Sequence, residues 1–161
     1  MPTPKKLHLK IPFSILLLSA FFSCDFKKTE QPLTHKNQHE ITYISVSDIG
    51  GNMGSYRIIK ATKDSVFAEK GMTANQTHKK WSSAISSSTW KQLVSSVRIV
   101  DLDHIKSSPS QQSVDGTDET FQIRTPKKSH IYVNAYVDTL HYKQLQQLKE
   151  QLDKILPKEY K

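Results

Sequence analysis

An α+β fold is what this 161-residue sequence predicts for residues 41–157: an antiparallel sheet with two helices packed on one face, in the order strands, helix, strands, helix. Three observations predict it. Short runs of period-two alternation recur between Gly, Asn, Asp and Pro punctuation. Two longer segments carry apolar residues at helical spacing. A sheet covered on one face by both helices is then the simplest layered way to bury those surfaces.

The elements follow in order. Residues 41–47 alternate, with Thr42, Ile44 and Val46 on one face and Tyr43 and Ser45 on the other. Gly50, Gly51, Asn52 and Gly54 then form a turn or bulge, and residues 56–61 resume a strand pattern. Lys63-Asp64-Ser65 is a turn ahead of a third short strand at Val66-Phe67-Ala68. Residues 72–80 are polar and read as a loop, while 80–85 can add an edge strand. Ser86, Ser87 and Ser88 offer N-caps to a helix whose stripe is Trp90, Leu93, Val94 and Val97. Residues 99–105 lead out of that helix into a polar stretch, 107–119.

The second half repeats this order. Residues 120–125 alternate through Phe121 and Ile123, and Pro126-Lys127-Lys128-Ser129 connects them to the next strand. There Ile131, Val133 and Ala135 line one face, with Tyr132 and Asn134 opposite. Asp138 or Thr139 caps a final helix with Leu145, Leu148, Leu152 and Ile155 along one side. Pro157 ends it, leaving 158–161 as a tail.

The first 23 residues have the three parts of a secretory leader. Lys5, Lys6 and Lys10 precede an apolar run over residues 11–22, and the small Ser23 precedes Cys24, the only cysteine. That run is too short for a spanning helix, which needs about 20 apolar residues. Ser23-Cys24 with these flanks resembles the lipobox of bacterial lipoproteins, although Phe21 and Phe22 stand where a leucine and a small residue are usual. The resemblance implies cutting by signal peptidase II, diacylation of the Cys24 thiol and a mature N-terminus at that residue. The alternatives are an uncleaved anchor, or ordinary secretion with a free thiol. Residues 24–40 hold few apolar residues and are interrupted by Pro32, so they read as a flexible tether with a reach of about 20 Å. Asp25 follows a rule by which some lineages retain lipoproteins in the inner membrane. Other lineages differ, which leaves the membrane and its face open.

The domain pattern in turn resembles small bacterial envelope lipoproteins that carry a domain of unknown function. The segments that carry this likeness are Gly50-Gly51-Asn52-Met53-Gly54-Ser55-Tyr56-Arg57-Ile58, Trp90-Lys91-Gln92-Leu93, Asp115-Gly116-Thr117-Asp118 and residues 145–156. The likeness implies no catalytic residues.

Composition narrows the function classes. Removing 23 of the 161 residues leaves 138, the size of one domain. The leader takes three lysines and no acid from the formal charge of +8, leaving +5 with lysines scattered along the chain. Nucleic-acid recognition would need a concentrated basic face, so no nucleic-acid partner is expected. Without a second cysteine there is no disulfide, and a lipidated Cys24 leaves no thiolate ligand.

Five groups of residues are candidate sites of chemistry. Gly50 to Gly54 lacks a following helix and a Lys-Ser/Thr pair, so it reads as a hairpin and not as a phosphate loop, and no cofactor is expected. Asp115, Asp118 and Glu119, with Asp101 and Asp103 nearby, are the candidate oxygen ligands for a divalent ion. Asp115-Gly116 is equally a turn signal before a strand. His78, His104, His130 and His141 lack the local spacing of a zinc site, and Ser108 and Ser110 lack a nucleophile elbow. Trp81, Trp90 and Tyr142 are aromatic-anchor candidates; Trp90 lies on the core stripe of its helix, so only Trp81 is expected to be exposed, and a core or edge position for each is preferred over a binding platform.

These readings point to a lipid-anchored cell-envelope protein with a membrane partner through its lipid and an envelope protein as further partner. A non-catalytic binding or assembly module ranks first. The alternatives are a small hydrolase or ion-dependent enzyme using Asp115, Asp118 and His104, and an inhibitor or immunity protein presenting residues 107–119. The anchor is directly testable: Cys24→Ser should abolish acylation and release the protein from the membrane fraction. A Cys24→Ser protein that stays tightly membrane-bound would contradict it.

Overall fold

The computed structural model describes residues 40–161. Cys24, the leader and the tether up to residue 39 lie outside the described residues. The fold is α+β, a six-stranded antiparallel sheet with two helices. Its strands are β1 (Tyr43–Gly50), β2 (Ser55–Thr62), β3 (Ser65–Met72), β4 (Thr77–Ala84), β5 (Thr117–Arg124) and β6 (Ser129–Val133). Helix α1 (Ser87–Ser95) follows β4, and α2 (Tyr142–Ile155) follows β6. The sheet order is β4-β3-β2-β1-β5-β6. Four strands therefore come first as one meander, and β5 returns to pair with β1 on its free side.

Register decides the buried face. Val46 pairs with Ile59 and Phe121, and Ile44 with Ala61 and Ile123, so their side chains form continuous apolar rows. With Val66 and Ala68 of β3 these rows meet Trp90 and Leu93 of α1 and Leu145, Leu148 and Leu152 of α2 in one core. Ser86 caps α1 by accepting from the Thr89 amide at 3.1 Å, satisfying one of the donors a helix start leaves open. Asp138 performs the corresponding role one turn ahead of α2, accepting from the amides of Leu140 and His141.

The structure departs from the sequence reading at four places. Residues 72–80 are not a loop: only residues 73–76 turn, and β4 begins at Thr77. Its polarity follows from its position, since β4 is an edge strand exposed along most of its length, with only Trp81 packing inward against Tyr160. Lysines at such an edge also discourage further strand pairing. The polar stretch 107–119 ends earlier than expected, because Asp118 and Glu119 already belong to β5.

In β6 the buried face is the reverse of the apolar-looking one. Tyr132 pairs with Phe121, is buried, and donates its hydroxyl to the Leu102 carbonyl at 2.5 Å, whereas Ile131 is 58% exposed. Asn134 then takes a left-handed backbone (φ 49°), which shifts the phase so that Ala135 is buried after all. Finally, residues 158–161 do not trail away. A short 3-10 turn, Lys158–Tyr160, returns Tyr160 to the core.

Gly50, Gly51 and Gly54 all have positive φ (144°, 77° and 61°) and form the β1–β2 hairpin, as the sequence suggests. Gly71 meets a different demand. It sits between Tyr56 and His78 across three strands, and a Cβ there would lie 2.2 Å from the Thr77 carbonyl oxygen and 2.5 Å from the Tyr56 hydroxyl. Gly71→Ala is therefore expected to destabilise the domain by about 1–3 kcal/mol through overpacking. Chemical denaturation should record a lower midpoint with an unchanged slope, and an unaltered midpoint would contradict the packing described.

Candidate functional site

One lateral row of the sheet is charged throughout. Glu119, Asp48, Arg57, Lys70 and Lys79 stand opposite one another in register across β5, β1, β2, β3 and β4. Each is in phase with core residues of its own strand, so the row faces the helix side of the sheet. Helix α2 crosses it and supplies counter-charges. The Lys149 ammonium donates to Asp48 at 2.9 Å and also to Glu119. Arg57 donates through Nη1 to Asp48 at 3.3 Å, through Nε to the Tyr160 carbonyl at 2.7 Å, and through Nη2 to Asp153. Tyr142 donates to Glu119 at 2.7 Å.

Burial pulls the Lys149 ammonium down. Its hydrogen bonds to Glu119 and Asp48 outweigh that pull and hold it above the ordinary lysine value. The Tyr142 phenol is pushed up, first by burial and then by its bond to Glu119. These groups are held in fixed protonation states around neutral pH, as a structural network requires.

Beyond this row the sheet face opens into a cleft of about 390 Å³. Its floor includes Thr117, Ser55, Met72 and Thr77 of the next row. Its wall is four members of the charged row, Asp48, Arg57, Lys70 and Lys79, of which Asp48 is already paired with Arg57 and Lys149. The volume falls in the range of small-molecule sites. Arg57 is fully engaged with acids and a carbonyl. Among the described residues no carboxylate forms an ion pair with Lys70 or Lys79. The Lys70 ammonium sits 5.8 Å from the Tyr160 ring centroid.

The carboxylates singled out as ion ligands separate. The Asp118 side chain accepts from the Ser110 hydroxyl at 2.5 Å, the Gln111 amide at 2.8 Å and Asn134 Nδ2 at 2.7 Å. These bonds, Ser110's first, hold its carboxyl below the ordinary value. Asn134 completes the bracket, since its Oδ1 accepts from the Glu119 amide at 3.0 Å and its Nδ2 also donates to the Pro109 carbonyl at 3.1 Å. Asp118 thus ties the 107–116 loop to β5. Asp115 is exposed in a left-handed turn (φ 58°), and Glu119 belongs to the Lys149 network. Among the described residues no group of three or more His, Cys, Asp or Glu is arranged to hold a metal ion.

The histidines likewise remain apart. His78 accepts or donates at 2.5 Å to Tyr56, His104 stacks on His141 at 6.3 Å, and His130 lies 3.4 Å from Asp103. Asp101 pairs with Arg98, and Asp103 with Lys128. Trp90 is buried in the core, and Trp81 packs against Tyr160.

Sequence reasoning missed Asp48, Arg57, Lys70 and Lys149. A signal for them existed. Asp48 continues the buried phase of Ile44 and Val46, Arg57 that of Ile59 and Ala61, and Lys70 that of Val66 and Ala68. Charges in core phase on three neighbouring strands imply partners, but only the strand order shows that they form one row.

Two titrations make acid stability testable. The Lys106 amide and then the His141 amide and ring hold Asp138 down to about 2. Its contribution is present above the unfolded value of 3.8 and is lost as pH falls toward 2. Burial holds His130 below its ordinary 6.5 despite the opposing Asp103. The unfolded chain therefore binds that proton first, and stability declines as pH drops below 6.5. Thermal melting against pH should show both declines. His130→Asn should flatten the upper one and Asp138→Asn the lower; unchanged profiles would contradict these assignments.

No protein-family model matches the chain, and no curated protein matches it.

Proposed function

We propose that this protein is a non-catalytic binding or assembly module of the bacterial cell envelope, lipid-anchored at Cys24. In this reading a domain of strands, helix, strands and helix, with both helices on one sheet face, engages its partner at the open end of that face. The observation that carries the reading is the cleft beside the charged row. There the acids are consumed by Lys149 and Arg57, while Lys70 and Lys79 line open space without acidic partners among the described residues.

The fate of the loop carboxylates supports binding over catalysis. A general acid or base needs a carboxyl near neutral pKa and free to reach substrate. Asp118 is instead held ionised by three donors inside its own loop. A tethered module with a concave, partly cationic surface is suited to capture and hold.

The test uses a photo-crosslinking residue placed at Thr77, on the cleft floor, in the full-length protein in native envelopes. A discrete adduct should form there and weaken when Lys79 is replaced by alanine. The same probe at Val100, 72% exposed and outside the cleft, should give none. Equal labelling from both positions, or none from either, would overturn the cleft as the binding surface.

A further inference from the structure

We propose that the cleft recognises a phosphate-type dianion, held between Lys70 and Lys79. This rests on the reading of the cleft as a binding surface and names the chemistry it takes.

Lys70 and Lys79 are a directly opposed cross-strand pair on β3 and β4, on the same face. Like charges in that position destabilise a sheet. The other cations beside it have answering anions: Arg57 of the row has Asp48 and Asp153, and Lys149 of α2 has Asp48 and Glu119. The nearby Glu69 gives no relief, because it points to the opposite face and lies 3.4 Å from His78. The Tyr160 ring beside Lys70 offers a cation–π contact, which does not neutralise charge. An anion between the two ammonium groups would turn a repulsive pair into a bidentate clamp.

Charge and space select the class. Two ammonium groups match a group carrying close to two negative charges, as a phosphate monoester does near neutral pH. A single carboxylate would leave one lysine unanswered. The Thr117 hydroxyl, at the cleft floor, makes no hydrogen bond to another described residue and can donate to a phosphate oxygen. Ser55 and Thr77 already donate, to the Gly50 carbonyl at 2.9 Å and to Asn75 Oδ1 at 2.9 Å, so they fix the floor. A cavity of about 390 Å³ exceeds what one phosphate fills, and Met72 lines the remainder. The fitting ligand is a phosphate monoester with a small, partly apolar organic body.

The experiment titrates detergent-solubilised full-length protein with phenyl phosphate, inorganic phosphate and phenol, followed by calorimetry. Phenyl phosphate should bind saturably, inorganic phosphate more weakly and phenol not at all. Lys70→Ala and Lys79→Ala should each weaken phenyl phosphate about tenfold, the effect of losing one charge-assisted contact. Lys127→Ala, in the β5–β6 connection, should leave it unchanged. Because repulsion is removed, Lys79→Ala without ligand should melt no lower than the parent protein.

A second arm separates the sources of the phosphate. Vesicles of phosphatidylcholine with or without phosphatidic acid are offered to Cys24→Ser protein. Recruitment that needs both phosphatidic acid and Lys79 assigns a lipid headgroup, whereas phenyl phosphate binding without such recruitment assigns a soluble ester. Equal affinity of the lysine variants and the parent, or equal binding of phenol, would overturn the proposal. A Thr77 crosslink in envelopes with no phosphate binding would overturn it too, while leaving the cleft as a protein-binding surface.

Discussion

Asp48 and Glu119 face one another on adjacent strands, and the closure of the sheet depends on the lysine between them. Two carboxylates directly opposed on β1 and β5 would repel in a partly dehydrated setting. Lys149 answers both at once from α2, about 100 residues beyond Asp48 in the chain. The ion pair joins the first strand, the fifth strand and the last helix at a single point.

A second constraint acts at the loop preceding β5. Asn134, fully buried and left-handed, bonds the amide and carbonyl of Glu119 and shares Asp118 with Ser110 and Gln111. Each of these groups would be costly to bury alone, and together every one has a partner. The carboxylates that looked like ligands are thereby explained as fasteners. They hold the return of the chain that lets β5 join β1, so the cluster has a structural role even where its chemistry suggested a site.

The elements legible in the sequence were those governed by local rules. Alternation at Ile44 and Val46, the stripe at Leu145, Leu148 and Leu152, the Ser86 cap and the glycine hairpin each depend on neighbours in the chain. Elements decided by distant partners were harder to read. The edge strand β4 is polar because nothing covers it, which makes residues 77–80 resemble a loop. In β6 the aromatic Tyr132 replaced the more apolar Ile131 inside, because pairing with Phe121 and a hydroxyl partner at Leu102 determined the face. No local signal reports either fact.

The sequence alone determined the class of fold, most strand and helix positions and the expectation of a lipid anchor at Cys24. Periodicity, capping and leader composition are short-range properties, and a chain carries them whatever its final topology. Only the tertiary structure decided which charges meet. Glu119, Asp48, Arg57, Lys70 and Lys79 are spread over four hairpin-linked strands and one returning strand. They become a single row only when antiparallel register sets each opposite the next. The cleft lies along that row, where α2 pairs with Glu119, Asp48 and Arg57 and leaves Lys70 and Lys79 without an acidic partner among the described residues.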